Sequence, residues 1–87
     1  MITVRVPSPL RSYTAGAARV SAHGASVAEL LAALEERHAG MRFRIIDEQD
    51  RIRPHIRIFI NQSEVTTLTQ PLAPGDEVHL ICALSGG

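Results

Sequence analysis

Apolar and polar residues alternate at both ends of this chain and switch to a helical spacing between them. Ile2, Val4 and Val6 alternate with Thr3 and Arg5, the pattern of a half-buried strand. Pro7 and Pro9 end it, because proline cannot donate to a ladder. Residues 7–16 then read as a loop anchored by Leu10 and Tyr13, with Gly16 turning the chain. A second strand is expected over 17–22, with Ala18, Val20 and Ala22 on one face, forming a long-looped hairpin with the first. Ser26-Val27-Ala28-Glu29 matches the capping box, in which serine takes the amide of residue 29 and the glutamate reaches back to the serine amide. Val27, Leu30, Leu31 and Leu34 follow at i, i+3, i+4 and i+7, one apolar stripe. Arg37 and His38 suit the negative end of the dipole and Gly40 suits a left-handed stop, so a helix is expected over 26–39.

Beyond the helix, Met41, Phe43, Ile45 and Ile46 fit either a helical turn or a short extended piece, and residues 47–51 read as a solvated loop. Ile56, Ile58 and Ile60 alternate with Arg57 and Phe59 in a strand of strong β propensity. Asn61-Gln62-Ser63-Glu64 turns the chain, and Val65 begins a short strand or an irregular return. Pro74-Gly75 suits the two central positions of a type II turn. In the last strand Val78, Leu80 and Cys82 share one face, with His79, Ile81 and Ala83 on the other. Apolar residues on both faces predict a central position. The order strand, strand, helix, strand, strand describes an α+β fold, a four- or five-stranded mixed sheet crossed by one main helix. The first and last strands are expected as neighbours in its middle.

Eighty-seven residues, 45% of them hydrophobic, are enough for one core. The formal net charge is zero, which argues against a nucleic-acid or membrane-surface partner. All nine cations are arginine; Arg42, Arg44, Arg51 and Arg53 gather in one stretch, which reads as a solvated face. The single cysteine rules out an internal disulfide, and no signal peptide or membrane-length run is present, so a cytoplasmic protein is the default. His23, His38, His55 and His79 lack metal-ligand spacing and read as structural or solvent-facing, which leaves no metal site. Cys82 reads as a small residue buried on a strand, and no pair of carboxylates is placed for acid–base work.

The last residues are the informative ones. A strand fit for the middle of a sheet runs into Leu84-Ser85-Gly86-Gly87. Glycines without Cβ atoms can enter a slot too narrow for other residues. We expect a body over 1–83, a flexible tail over 84–87, and a working group that is the Gly87 carboxylate.

Leu72-Ala73-Pro74-Gly75-Asp76-Glu77-Val78 leading to Ser85-Gly86-Gly87 resembles the ubiquitin-like, β-grasp sulfur carriers of the ThiS/MoaD family, and the likeness covers essentially the whole chain. The stretch 10–16 and the long segment before Ile56-Arg57-Ile58-Phe59-Ile60-Asn61 are similar to the branch serving cysteine biosynthesis and secondary-metabolite thiolation, ahead of molybdopterin or thiamin. Two departures stand out: Gln62 where the family has glycine after asparagine, which bears on the turn, and Cys82-Ala83 where many relatives have proline. The second either loosens the tail exit or adds one more ladder bond.

The resemblance implies a carrier, not an enzyme, with no bound cofactor. An E1-like enzyme would use ATP to adenylate Gly87, threading Leu84, Ser85 and Gly86 through its tunnel. A sulfur donor would replace AMP to leave a thiocarboxylate. Further partners would be a sulfur-accepting synthase and a tail-trimming metalloprotease. Phe59 and Ile81, with Arg57 and His79, form either a docking patch or a minor core. Two rival functions share the same tail: a protein modifier joined to lysines through Gly87, and an interaction module with an inert end.

Overall fold

The computed structural model describes residues 1–83. Strands β1 (Ile2–Arg5), β2 (Arg19–Ala22), β3 (Ile56–Ile60), β4 (Ser63–Val65) and β5 (Glu77–Cys82) form one sheet in the order β2-β1-β5-β3-β4. Helix α1 (Val27–Arg37) and the short α2 (Met41–Ile45) complete it. β5 lies between β1, to which it is parallel, and β3, to which it is antiparallel. The expected mixed sheet with first and last strands adjacent is therefore observed, and five strands are present.

Strand parity decides the core. Ile2, Val4, Ile58, Val78 and Leu80 point to the inner face, each at most 3% exposed. The α1 stripe Val27, Leu30, Leu31 and Leu34 meets them and is at most 1% exposed. Each such aliphatic side chain contributes about 1.5–3 kcal/mol through removal from water, so the core is carried by many similar contributions.

Several local readings are corrected. The loop over 7–16 contains a 3₁₀ helix, Ser8–Thr14, whose exit uses positive φ at Ala15 and Gly16. Thr14 is buried and holds the exit, with Oγ1 2.8 Å from the Ala17 carbonyl oxygen. β2 begins at Arg19 rather than residue 17, although the Ala18 carbonyl still accepts from the Val6 amide at 2.9 Å. Helix α1 spans less than 26–39. Ser26 is its N-cap, accepting from the Glu29 amide at 3.3 Å, but the Glu29 carboxylate takes the Ala25 amide at 3.1 Å rather than that of Ser26. The amides of Val27 and Ala28 are satisfied instead by the carbonyls of Gln70 and Leu68, so the 66–73 loop closes the helix start.

At the other end Gly40 has φ +92° as expected for a stop, yet a new helix begins one residue later. Of the two readings left open for residues 41–46, the helical turn is the one adopted. Glu35 explains it: its carboxylate accepts the amides of Gly40 and Arg42, both at 2.9 Å, and so caps α2 from the side of α1. Those two bonds hold the Glu35 carboxyl below the ordinary glutamate range. Met41 and Ile45 fill the core beneath. Ser63 and Glu64, expected in the turn, belong with Val65 to β4, joined to β3 by a two-residue turn at Asn61-Gln62; of the two readings open at Val65 the short strand is the one adopted. Asn61 alone of the two has positive φ, so Gln62 is not asked for the left-handed conformation that glycine supplies in the Asn-Gly type.

Candidate functional site

The expected working residues Leu84, Ser85, Gly86 and Gly87 lie outside the described residues. What the structure places is the point from which they leave. β5 pairs with β1 from Glu77 to His79, and with β3 along its whole inner length to the Ile56–Cys82 pair. One further rung follows: the Ala83 amide donates to the His55 carbonyl at 2.7 Å. A proline at 83 has no N–H to give, so of the two consequences expected for the departure there, the extra ladder bond is the one present.

The approach to β5 is built by the Pro74-Gly75-Asp76-Glu77 stretch. Gly75 has φ +89°, and the Asp76 amide closes the turn on the Ala73 carbonyl at 3.0 Å. The Asp76 carboxylate accepts from the Ala73 amide at 2.9 Å and from the Asn61 side-chain amide at 3.3 Å. Asn61 in turn accepts from the Glu77 amide at 3.1 Å and donates its own amide to the Glu77 carbonyl at 2.7 Å. Two loops distant in sequence thus lock each other, and they fix where β5 starts. Sequence reading flagged both stretches, but nothing in it pointed to the bond between them.

On the outer face of the sheet the structure brings together all four of the residues expected for docking. Arg57 lies opposite Ile81, and Phe59 opposite His79. Ile81 is 44% exposed and Arg57 is exposed, while Phe59 and His79 are half-buried. The minor-core alternative is therefore not what forms here; the face is open to solvent. Glu77 sits beside it, 2.8 Å from His79 Nε2 and 3.3 Å from Arg5 Nε. Desolvation alone would raise the Glu77 carboxyl, but the hydrogen bonds from His79 and Arg5 outweigh it and hold it low. Arg57 is paired with Glu64 across the β3–β4 hairpin at 3.1 Å.

Cys82 points inward at the end of β5 and is half-buried, and burial pushes its thiol up from the usual value. It is a packed side chain with little thiolate at neutral pH, as expected. Among the described residues no group of His, Cys, Asp or Glu is arranged to hold a metal ion. None of their helices is long and apolar enough to cross a membrane.

Known proteins share this arrangement. The sulfur carrier protein CysO of Mycobacterium tuberculosis is 31% identical over 99% of this chain and 98% of its own length, as is that of Mycobacterium bovis. The crystal structure of the Amycolatopsis orientalis BexX/CysO complex contains a chain that superposes with a TM-score of 0.93 at 32% identity, covering 100% of both. SAMP1 from Haloferax volcanii superposes at 0.78 with 28% identity, covering 99% of this chain and 98% of its own. The fold is the ubiquitin-like β-grasp, and the family profile aligns from Val4 through Gly87: the chain belongs to the ThiS family.

Proposed function

We propose that this protein is a sulfur carrier whose Gly87 carboxylate is converted to a thiocarboxylate. The observation that carries the reading is end-to-end likeness to the CysO carriers, together with a Gly86-Gly87 tail that the family match includes. Ala83, bonded to His55, supports the same reading, because it carries the tail off the end of the central strand.

The chemistry follows from the carboxylate. A carboxylate oxygen attacks the α-phosphorus of ATP and pyrophosphate leaves, giving a mixed anhydride with AMP. A sulfur nucleophile attacks the acyl carbon and AMP departs with the electron pair. With sulfide as donor, the carboxylate has exchanged one oxygen for sulfur and the proton goes to solvent. An E1-like enzyme supplies the ATP site, and glycines at 86 and 87 admit the tail and leave the acyl carbon open to attack. The protein itself contributes position and recognition and behaves as a co-substrate. Arg57, Phe59, His79 and Ile81 are its docking patch for such enzymes, a sulfur-accepting synthase among them, and a tail-trimming metalloprotease is a further partner. Its place of work is the cytoplasm, and the sulfur goes to cysteine or to a secondary metabolite.

Intact mass spectrometry tests the reading. After incubation with ATP, the cognate activating enzyme and sulfide, one oxygen should be replaced by sulfur in the residue at 87. A variant ending at Ser85 should stay unchanged. Isopeptide adducts on lysines with no thiocarboxylate would favour a protein modifier instead.

A further inference from the structure

A groove at the edge of the sheet away from β2 shares only Arg57 with the outer-face patch. It is an open cleft of about 860 Å³ between the 50–57 segment, the end of β4 and the 66–69 loop. Four of the nine arginines line it: Arg42, Arg51, Arg53 and Arg57. Two carboxylates, Asp50 and Glu64, line it as well, and Asp47 pairs with Arg51 from outside the lining, which leaves a small positive excess here in a chain with no net charge. The fold makes this concentration. Arg42, Arg51 and Arg53 come from one stretch of sequence, and the β3–β4 hairpin brings Arg57 to them from the sheet.

The guanidiniums are not used up. Arg42 Nη2 meets Asp50 at 3.0 Å, and Arg57 Nη1 meets Glu64 at 3.1 Å. Arg53 donates its Nε to the Phe43 carbonyl at 2.7 Å while its guanidinium lies 4.4 Å from the Phe43 ring centre. Each has five N–H donors, and these bonds engage a minority of them. The existing partners also say what the groove accepts, since its arginines make three ion pairs, Arg51 with Asp47 at 3.6 Å being the third, and all are with carboxylates. Exposed pairs of this kind are worth about 0.2–1 kcal/mol, so an incoming carboxylate exchanges with them at little cost. Beside the charged rim the lining is mixed: Ile52 and Leu68 are half-buried apolar residues over the buried Ile56 and Val65, and Thr66, Thr67 and Thr69 add hydroxyls.

We propose that this groove docks an extended acidic segment of a protein partner, with carboxylates on the arginine rim and apolar side chains against the wall. The charges come from four positions around an open cleft. A compact phosphate wants several donors converging on one point, whereas a peptide presents its acids at intervals. The groove also borders the tail root, since Arg53, Pro54 and Ile56 line it and His55 holds Ala83. The inference does not depend on the chemistry proposed at Gly87; it concerns binding to the body alone.

The experiment is an amide-shift titration of the ¹⁵N-labelled full chain with end-blocked hexaglutamate at low salt. Hexaglutamine and tripolyphosphate serve as comparison probes. Shifts should be confined to Arg42, the 50–57 segment and residues 64–69, should vanish at high salt, and should be absent with hexaglutamine. Arg51→Gln and Arg57→Gln should each weaken binding about threefold, and Arg19→Gln, on the opposite edge, should leave it unchanged. Shifts spread over Arg5, Arg19 and Arg37 as well would overturn the proposal, because they would report only diffuse attraction to cations. So would binding of tripolyphosphate at these residues without binding of hexaglutamate, which would make the groove a small-anion site.

Discussion

Gly24 offers a direct test of how tightly the β2–α1 connection is seated. A Cβ built on Gly24 would sit 2.6 Å from the Leu30 amide nitrogen, 2.8 Å from Leu30 Cα and 3.1 Å from Leu30 Cβ. The two nearest are helix backbone atoms, so no side-chain rotation relieves the clash. The helix is also pinned. The Leu30 amide bonds to Ser26 at 3.0 Å, Val27 and Ala28 bond to the 66–73 loop, and the Leu30 side chain is fully buried. Overpacking of this kind costs about 1–3 kcal/mol, and with the helix held from both sides Gly24→Ala should fall in the upper half of that range. For a domain of this size each kcal/mol lowers Tm by about 4–8 °C, so a drop of about 10–20 °C is expected in thermal unfolding followed by circular dichroism. Gly16→Ala is the comparison. Nothing lies within 4 Å of its added Cβ, and its φ of +87° leaves only backbone strain, about 1–2 kcal/mol. A Gly24→Ala protein that melts within a degree or two of wild type, or above Gly16→Ala, would refute the seating described here.

Three other outcomes follow from the structure. The carboxyls of Glu35, Asp47 and Glu77 are all held below their ordinary range: Glu35 by the amides of Gly40 and Arg42, Asp47 chiefly by the amide of Arg51, and Glu77 by His79 and Arg5 against desolvation. A carboxyl lowered in the folded state contributes its stability in full above its unfolded pKa, about 4. That contribution is lost as pH falls through the lower folded value, so the urea midpoint should decline below about pH 4. Glu35→Gln should flatten that decline and speed amide exchange at Gly40 and Arg42, and an unchanged pH profile would contradict the capping role. Ala83→Pro removes one hydrogen bond worth about 0.5–1.5 kcal/mol and regains about 0.4–1 kcal/mol by stiffening the unfolded chain. Its urea stability should therefore lie within about 1 kcal/mol of wild type, and a larger loss would mean that the last rung holds more than itself. Cys82 should react with iodoacetamide at pH 8 more slowly than free cysteine and speed up on unfolding in urea; rapid reaction in the folded state would contradict a half-buried thiol whose titration burial pushes up.

The elements legible in the sequence were those whose signal is periodic and local. Ile2-Val4-Val6, the Ile56-Ile58-Ile60 alternation and the Val27 to Leu34 stripe each carry their own face, and all three form where expected. The elements left open depend on a partner outside their own residues. Helix α2 has five residues, too few to be stable alone, and forms because Glu35 supplies acceptors for two of its free amides. β4 is three residues long and exists only as the far arm of the hairpin that Asn61 turns. The patch of Arg57, Phe59, His79 and Ile81 was legible because strand parity alone places those residues on one face. The arginine groove was half legible: the cluster at 42–53 is visible in sequence, but Arg57 and the 66–69 loop join it only through the sheet.

The support under the tail changes along β5, and this bears on how a central strand can carry a reactive end. From Glu77 to His79 the strand has neighbours on both sides, β1 and β3. Past His79 the β1 pairing has ended, because Pro7 has no N–H to give and leads into the 3₁₀ helix. Leu80, Ile81 and Cys82 therefore hang on β3 alone, and Ala83 on a single rung to His55. Opening the first half of β5 would break two ladders and expose Val78 in the core; opening the last residues breaks one ladder at a half-buried cysteine. Local stability thus falls stepwise toward residue 83. Such a gradient suits a carrier. Under the chemistry proposed at Gly87, a pull on the last residues would be met at the weakest rungs before it reached the core.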